Sequence, residues 1–174
     1  KKAFDSINVE SMLVALGRFG LPPKFLRMIR HIYEDRMFKV VHDGCKSSCR
    51  RQQSGISQGC PLSPVLFVML MSVITNDAIA NLSTESQQQL VTGSLDVVLY
   101  ADDTLIIGAS QARLQEMLES VADVGGRYGM ELHWSKFQLL EVNGQYRLKA
   151  PGGDVIHPRP FMSYLGCSIY ADGN

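Results

Sequence analysis

Two adjacent carboxylates, Asp102 and Asp103, lie between two short apolar runs, 95–100 and 104–108. Strand-forming residues on both sides of an acidic pair predict a tight hairpin with a charged tip. No apolar core needs two such groups, and burying unpaired charge is costly, so the pair calls for a neutralising partner. A divalent cation is one. Magnesium in particular takes one or two carboxylates plus substrate phosphates in preference to a complete protein cage. In nucleotidyl transfer two such ions, about 4 Å apart, lower the pKa of an attacking 3′-hydroxyl and stabilise the leaving pyrophosphate. The dipeptide alone also fits a solvated Asp-Asp turn with no ligand. A second constellation, His42, Cys45 and Cys49, lacks the further pair of nearby ligands that a structural zinc site requires.

A hairpin tip holds ligands only if other elements hold the hairpin. Asn8 is placed to cap a helix whose apolar positions Met12, Leu13, Leu16 and Phe19 follow helical spacing up to Gly20. Pro22 and Pro23 suit the first turn of a second helix with Phe25, Leu26, Ile29 and Ile32 as its inward stripe. Residues 36–53 read as a hairpin turning at Asp43-Gly44. After a loop from Gly55 to Pro61, residues 62–82 read as a long helix, apolar on nearly every face for two turns and therefore mostly buried. Ser110 begins another, with Leu114, Met117, Leu118 and Val121 facing inward until Gly125-Gly126 weakens it. Residues 137–142, 146–149 and 164–170 are further strand candidates, separated by Asn143-Gly144 and Pro151-Gly152-Gly153. Helices mixed with antiparallel hairpins, without repeating βαβ units, predict an α+β fold.

The bulk properties agree with one continuous domain over 1–174. The chain has 174 residues, 45% of them hydrophobic, enough for one substantial core. Its net charge is zero, unlike a strongly basic, self-sufficient nucleic-acid binder. The distribution is uneven: residues 1–55 carry 11 Lys and Arg against 5 Asp and Glu, and residues 56–174 carry 6 against 12. That asymmetry suits a polyanion-binding entrance beside an acidic metal site, and it also fits ordinary surface variation. Four cysteines make no dense disulfide framework, so a reducing intracellular setting, nucleus or cytoplasm, is expected. The longest apolar run, 65–71, is too short to cross a bilayer, and no membrane association is expected. Beginning at Lys1 without a leader, the sequence reads as an internal fragment.

Context then decides between the readings of the acidic pair. Tyr100-Ala101-Asp102-Asp103 between apolar strands resembles the polymerase signature of reverse transcriptases. Lys2-Ala3-Phe4-Asp5-Ser6-Ile7 is similar to the end of their first palm motif, and Gly55-Ile56-Ser57-Gln58-Gly59-Cys60-Pro61-Leu62-Ser63-Pro64 to the second. Gly129-Met130-Glu131-Leu132-His133-Trp134-Ser135-Lys136 resembles the fourth, and Tyr164-Leu165-Gly166-Cys167-Ser168-Ile169 the fifth. Each match is weak alone, but all five occur in order. Their wording is most similar to retrotransposons without long terminal repeats, with group II intron enzymes more distant.

The resemblance implies a polymerase palm, an antiparallel sheet backed by helices. It implies RNA-directed DNA polymerisation from dNTPs on a primed RNA template, with a DNA primer and two magnesium ions held by Asp102 and Asp103. Fingers, thumb and an endonuclease domain of a parent polyprotein are the implied partners. Phe4 becomes a steric gate against a 2′-hydroxyl, although it also reads as an ordinary core phenylalanine. Gln58 and Gly59 become nucleotide-binding, in a loop whose small residue permits close approach and which feeds a helix N-terminus. The same Gly59 and Pro61 also serve simply to set the turn. Lys136 becomes the lysine that contacts or protonates departing pyrophosphate, or else a solvated charge. Tyr164, Leu165 and Gly166 become the hairpin that grips the primer, with Leu165 in the core.

The sequence departs from the family pattern in three places. The metal-binding aspartate of the first motif falls two positions before Lys1, and Asp5 is not that residue but a structural one. His133 and Phe137 stand where asparagine and threonine are frequent. Two carboxylates of three should bind metal weakly, so the isolated chain is expected not to polymerise. The alternatives are a decayed palm that holds nucleic acid or a protein partner without catalysis, and a metal-dependent phosphohydrolase.

Overall fold

The computed structural model describes residues 3–101 and 103–172. The chain divides into two compact units, Lys1–Ile74 with Gly126–Glu131, and Thr75–Gly125 with Leu132–Asn174.

The first unit opens with a single helical turn, α1 (Ala3–Ser6), followed by α2 (Val9–Phe19) and α3 (Pro23–Tyr33). The Asn8 carboxamide oxygen accepts from the Ser11 amide at 2.9 Å, and Gly20 closes α2 in the left-handed region at φ 108°. Met12, Leu13, Ala15 and Leu16 are buried, whereas Phe19 is exposed. On α3 the buried residues are Ile29 and Tyr33, and the expected inward stripe fails at Phe25 and Ile32, which are exposed. The reason is the helix pairing: a Cβ on Gly17 would lie 3.4 Å from Leu26 Cδ1, so α2 and α3 meet at Leu26, while the Tyr33 hydroxyl bonds Ser63 Oγ at 3.3 Å. Met37–Phe38 (β1), Val41–His42 (β2), Cys45–Lys46 (β3) and Arg50–Arg51 (β4) form the expected hairpin, β1 pairing with β4 and β2 with β3. Asp43 and Gly44 take positive φ at its turn, as a two-residue connection requires.

Helix α4 (Ser63–Ala80) begins in the first unit and ends in the second. By length and composition it also matches a membrane span, contrary to the expectation drawn from the seven-residue apolar run. A core helix passes the same test, and Leu66, Phe67, Leu70 and Ile74 here are at 0–1% exposure.

In the second unit α5 (Thr84–Thr92) was not legible from periodicity, because its middle is the polar run Ser86–Gln89; its readable marks are the Ser83 cap and Gly93 at φ 74°. β5 (Leu95–Tyr100) and β6 (Asp103–Gly108) form an antiparallel hairpin. Helix α6 (Gln111–Arg127) runs on through Gly125-Gly126, the pair expected to weaken it. Burial of Val124, Gly125 and Tyr128 outweighs the roughly 1 kcal/mol that each helical glycine costs. A 3₁₀ turn, Trp134–Lys136, precedes β7 (Leu139–Leu140), shorter than the expected 137–142. β8 (Leu148–Lys149) pairs with β9 (Val155–Ile156), and β7 pairs in parallel with β10 (Pro158–Arg159). Residues 164–170 are not one strand but parts of two, β11 (Phe161–Tyr164) and β12 (Cys167–Tyr170), paired antiparallel. Helices and small, mostly antiparallel sheets make this the α+β, palm-like class that the sequence predicts.

Candidate active site

In the first unit the chain's first and second motifs are stitched together by backbone and side-chain hydrogen bonds. The amide of Ile56 donates to the Phe4 carbonyl and that of Gly55 to the Ile7 carbonyl, each at 2.8 Å. Ser54 Oγ donates to the Asp5 carbonyl at 3.0 Å, and Gln58 Nε2 to Asp5 Oδ1 at 3.1 Å. Asp5 therefore has the structural place expected of it. Gln52 Nε2 donates to the Ser54 and Gly55 carbonyls and fixes the loop from the other side.

Gly55 explains why this loop approaches so closely. Its φ is +89°, and a Cβ there would stand 2.8 Å from Asp5 Cα and 2.9 Å from the Phe4 carbonyl oxygen. Gly59 also has positive φ, at +83°, but nothing lies within 4 Å of its missing Cβ. Space beside Gly59 is open, as a loop that admits a ligand requires. Phe4 is half-buried and stacks on the fully buried Phe67 ring, with centroids 4.6 Å apart and planes within 10°. Its ring orientation is thereby set by α4, so the core and functional readings of Phe4 are compatible.

The start of the fourth motif joins the same unit. Tyr128 is buried, accepts from Arg18 at 2.9 Å through its hydroxyl, and through its carbonyl takes the Asn8 amide at 3.1 Å. A Cβ on Gly129 would meet the Ser6 carbonyl at 2.9 Å. Gly55, Gly129 and Gln52 are thus contributors to the site's frame that motif matching did not single out. Glycine at a motif boundary was the available signal, but sequence cannot say whether such a glycine serves a torsion or a close approach.

Cys60 is a further one. Its thiol is pulled below the usual thiol range chiefly by the Leu62 backbone N–H; desolvation opposes this, and smaller contributions from Ser63 and Arg36 add to the lowering. Its position at the entry of α4 places it among unpaired helix amides.

In the second unit, Tyr100 pairs with Asp103 at the end of the β5–β6 hairpin, and Ala101 takes φ +51°. Asp103 is thus the first residue of β6, not a loop residue, and it is exposed. Asp102 lies outside the described residues. Lys136 ends the 3₁₀ turn, its amide bound to the His133 carbonyl at 2.9 Å and its side chain exposed. Phe137 stacks on Trp134 at 4.6 Å, which accounts for an aromatic at that position. Leu165 and Gly166 form the β11–β12 turn with φ of +52° and +79°. Leu165 is 48% exposed and so is not the core residue expected, because a two-residue turn points its side chains away from the ribbon. The Tyr164 hydroxyl is buried without a hydrogen-bond partner among the described residues. Gln138 holds the β11 edge, donating to the Ser163 carbonyl at 3.4 Å and accepting from its amide at 3.0 Å. No hydrogen bond or ion pair links Asp103, Lys136 and the 164–166 turn among the described residues.

The donor set bears on a metal. No group of three or more His, Cys, Asp or Glu able to hold an ion occurs among the described residues. Asp103 supplies one exposed carboxylate, with no cationic partner among the described residues. Its chemistry fits a hard divalent ion that keeps most of its ligands as water and phosphate.

A palm-like α+β chain with these ordered motifs is of the reverse transcriptase class. It belongs to the family described as reverse transcriptase (RNA-dependent DNA polymerase), which matches residues 1–169. Members of that family depend on divalent metal and bind nucleic-acid templates. The chain is 27% identical over 167 residues to the Retrovirus-related Pol polyprotein from type-2 retrotransposable element R2DM of Drosophila melanogaster, covering 96% of this chain and 15% of that protein. It is 27% identical over 170 residues to the RNA-directed DNA polymerase from mobile element jockey of Drosophila funebris, covering 95% and 18%. Identity to the type-1 retrotransposable element R2 polyprotein of Nasonia vitripennis is 29% over 143 residues, covering 82% and 14%. The kinship is with elements lacking long terminal repeats, and the chain spans less than a fifth of the length of these relatives.

Proposed function

We propose that this chain is the palm of an RNA-directed DNA polymerase that adds dNTPs to a DNA primer on an RNA template. The family match over residues 1–169, which takes in all five motifs in order, carries the reading. Asp103, with Asp102, would hold the metal, proposed as Mg2+. Two such ions, when bound, activate the 3′-hydroxyl and stabilise leaving pyrophosphate.

The chain's own residues do the rest. Phe4, fixed in orientation by its stack on Phe67, gates the sugar by bulk. Gln58 offers a carboxamide anchored on Asp5, and Gly59 leaves backbone accessible for the nucleotide. Lys136 presents an exposed ammonium for neutralising or protonating pyrophosphate. Tyr164, Leu165 and Gly166 form a tight turn able to bear on the primer backbone.

The test is primer extension on an RNA template by the parent protein in Mg2+. Asp103→Asn should lower kcat by about 10³-fold, a typical loss when charge stabilisation at the reacting centre is removed, while leaving template binding intact. Undiminished extension by Asp103→Asn would sink the assignment. The 174-residue polypeptide alone is expected to extend no primer. Extension by it, abolished by Asp102→Asn, would overturn that expectation.

A further inference from the structure

The β1–β4 hairpin of the first unit covers neither of its faces: every residue from 37 to 51 is exposed. A two-stranded ribbon of this kind is marginal by itself in water. Its register sets an apolar side chain opposite a cation three times, Met37 with Arg51, Phe38 with Arg50 and Val41 with Lys46. Directly opposite residues of an antiparallel pair share a face with their Cβ atoms roughly 5 Å apart. Met37, Phe38 and Val41 are 56%, 46% and 62% exposed. Arg51 is engaged by Asp35 at 2.5 Å, and the turn's Asp43 lies 3.3 Å from His42. Lys39, Lys46 and Arg50 have no acidic partner among the described residues.

We propose that this ribbon docks single-stranded RNA. Apolar residues alone would fit a protein or lipid surface, and cations alone would fit any duplex backbone. An apolar side chain beside a cation in each registered pair, with the successive pairs Met37–Arg51 and Phe38–Arg50 on opposite faces, fits a strand whose phosphates and unstacked base faces are both accessible. A duplex hides its base faces and leaves Phe38 and Val41 without a partner. The two arms, residues 37–42 and 45–51, would each reach about 20 Å where extended, and Lys39, Lys46 and Arg50 offer one cation each to about three phosphates. The choice of RNA over DNA rests on the RNA-directed reading above; the choice of an unpaired strand rests on the ribbon alone.

The test is fluorescence anisotropy of a labelled 15-nucleotide RNA with the full chain, in EDTA and without dNTPs, so that no catalysis contributes. With three phosphates each adding about 0.7 to the salt slope, affinity should fall roughly 100-fold between 50 and 500 mM salt. The triple variant Lys39→Gln/Lys46→Gln/Arg50→Gln should weaken binding at 50 mM salt by about tenfold or more and flatten that slope. Its circular dichroism and urea midpoint should match the parent chain, since these side chains bury nothing. Phe38→Ser should weaken binding about fivefold without altering the slope, as loss of a stacked base would. Arg147→Gln/Arg159→Gln removes two exposed charges from the other unit and should change affinity less than about twofold.

Equal losses in that control and in the triple variant would show net charge alone at work and overturn the site. Equally tight binding of a duplex overturns the unpaired strand, and equally tight binding of DNA overturns the RNA assignment. Polymerase failure of the parent protein with ribbon-dependent RNA binding intact would sink the catalytic reading and leave the ribbon standing.

Discussion

Gly55 and Gly59 sit four residues apart, and both adopt positive φ, but they should respond differently to substitution. Gly59→Ala meets only the torsional penalty of the left-handed region, about 1–2 kcal/mol. Gly55→Ala meets that penalty and a Cβ at 2.8 Å from Asp5 Cα, so its loss should exceed 2 kcal/mol, about as large as an overpacked core. Urea unfolding of the two variants measures the difference, and equal losses would contradict the close approach. Cys60 carries a second expectation at this scale. Because amide contacts favour its thiolate, alkylation by iodoacetamide should rise with pH to a midpoint below that of an ordinary thiol. Peptide mapping after a pulse at pH 7 should find Cys60 labelled faster than Cys45, Cys49 or Cys167, although those three are exposed and Cys60 is half-buried.

Among the elements, α5 and α6 are joined through one carboxylate. Glu116 accepts from the Ser83 amide at 2.5 Å, from Ser83 Oγ at 3.1 Å, from the buried Ser86 hydroxyl and from Arg113. Arg113 also pairs with Glu85. The Ser86 hydroxyl bond comes first among the contacts that hold Glu116 below the usual carboxylate range. A carboxyl depressed on folding stabilises the native state at pH above its unfolded value and loses that contribution as pH falls through the folded value. Thermal stability should therefore decline as pH drops below about 4.5, and Glu116→Gln should flatten that part of the profile. Glu116→Ala should cost about 1–3 kcal/mol near neutral pH by stranding the Ser86 hydroxyl. The second element-scale expectation concerns α4, where Leu70 is fully buried. Leu70→Ala should lower stability by about 2–5 kcal/mol in urea titration.

On the scale of the molecule, the two units divide the charge. The first carries 12 Lys and Arg against 6 Asp and Glu, and the second 5 against 11, so a zero total conceals +6 and −6. With a sequence pI near 7.1, copies should associate near neutral pH at low salt, basic unit to acidic unit. Light scattering should show this association dissolving at about 0.5 M salt, where the Debye length is roughly 4 Å. Association that strengthens with salt would instead point to the exposed apolar side chains of α3 and the ribbon.

The sequence by itself determined the kind of protein this is, because motifs record chemistry locally: Tyr100 to Asp103, Gly55 to Pro64 and Tyr164 to Gly166 could be read residue by residue. It also determined most helices and turns, since the Asn8 cap, Gly20, Asp43-Gly44 and the apolar stretch of α4 act through near neighbours. Only the tertiary structure decided which apolar residues of α3 face inward, that α6 passes through two glycines, and that Gly55 and Gly129 are fixed by contacts with Asp5 and Ser6. Those outcomes depend on residues tens of positions away. No local propensity encodes them, because a close approach is a property of two backbones and not of one.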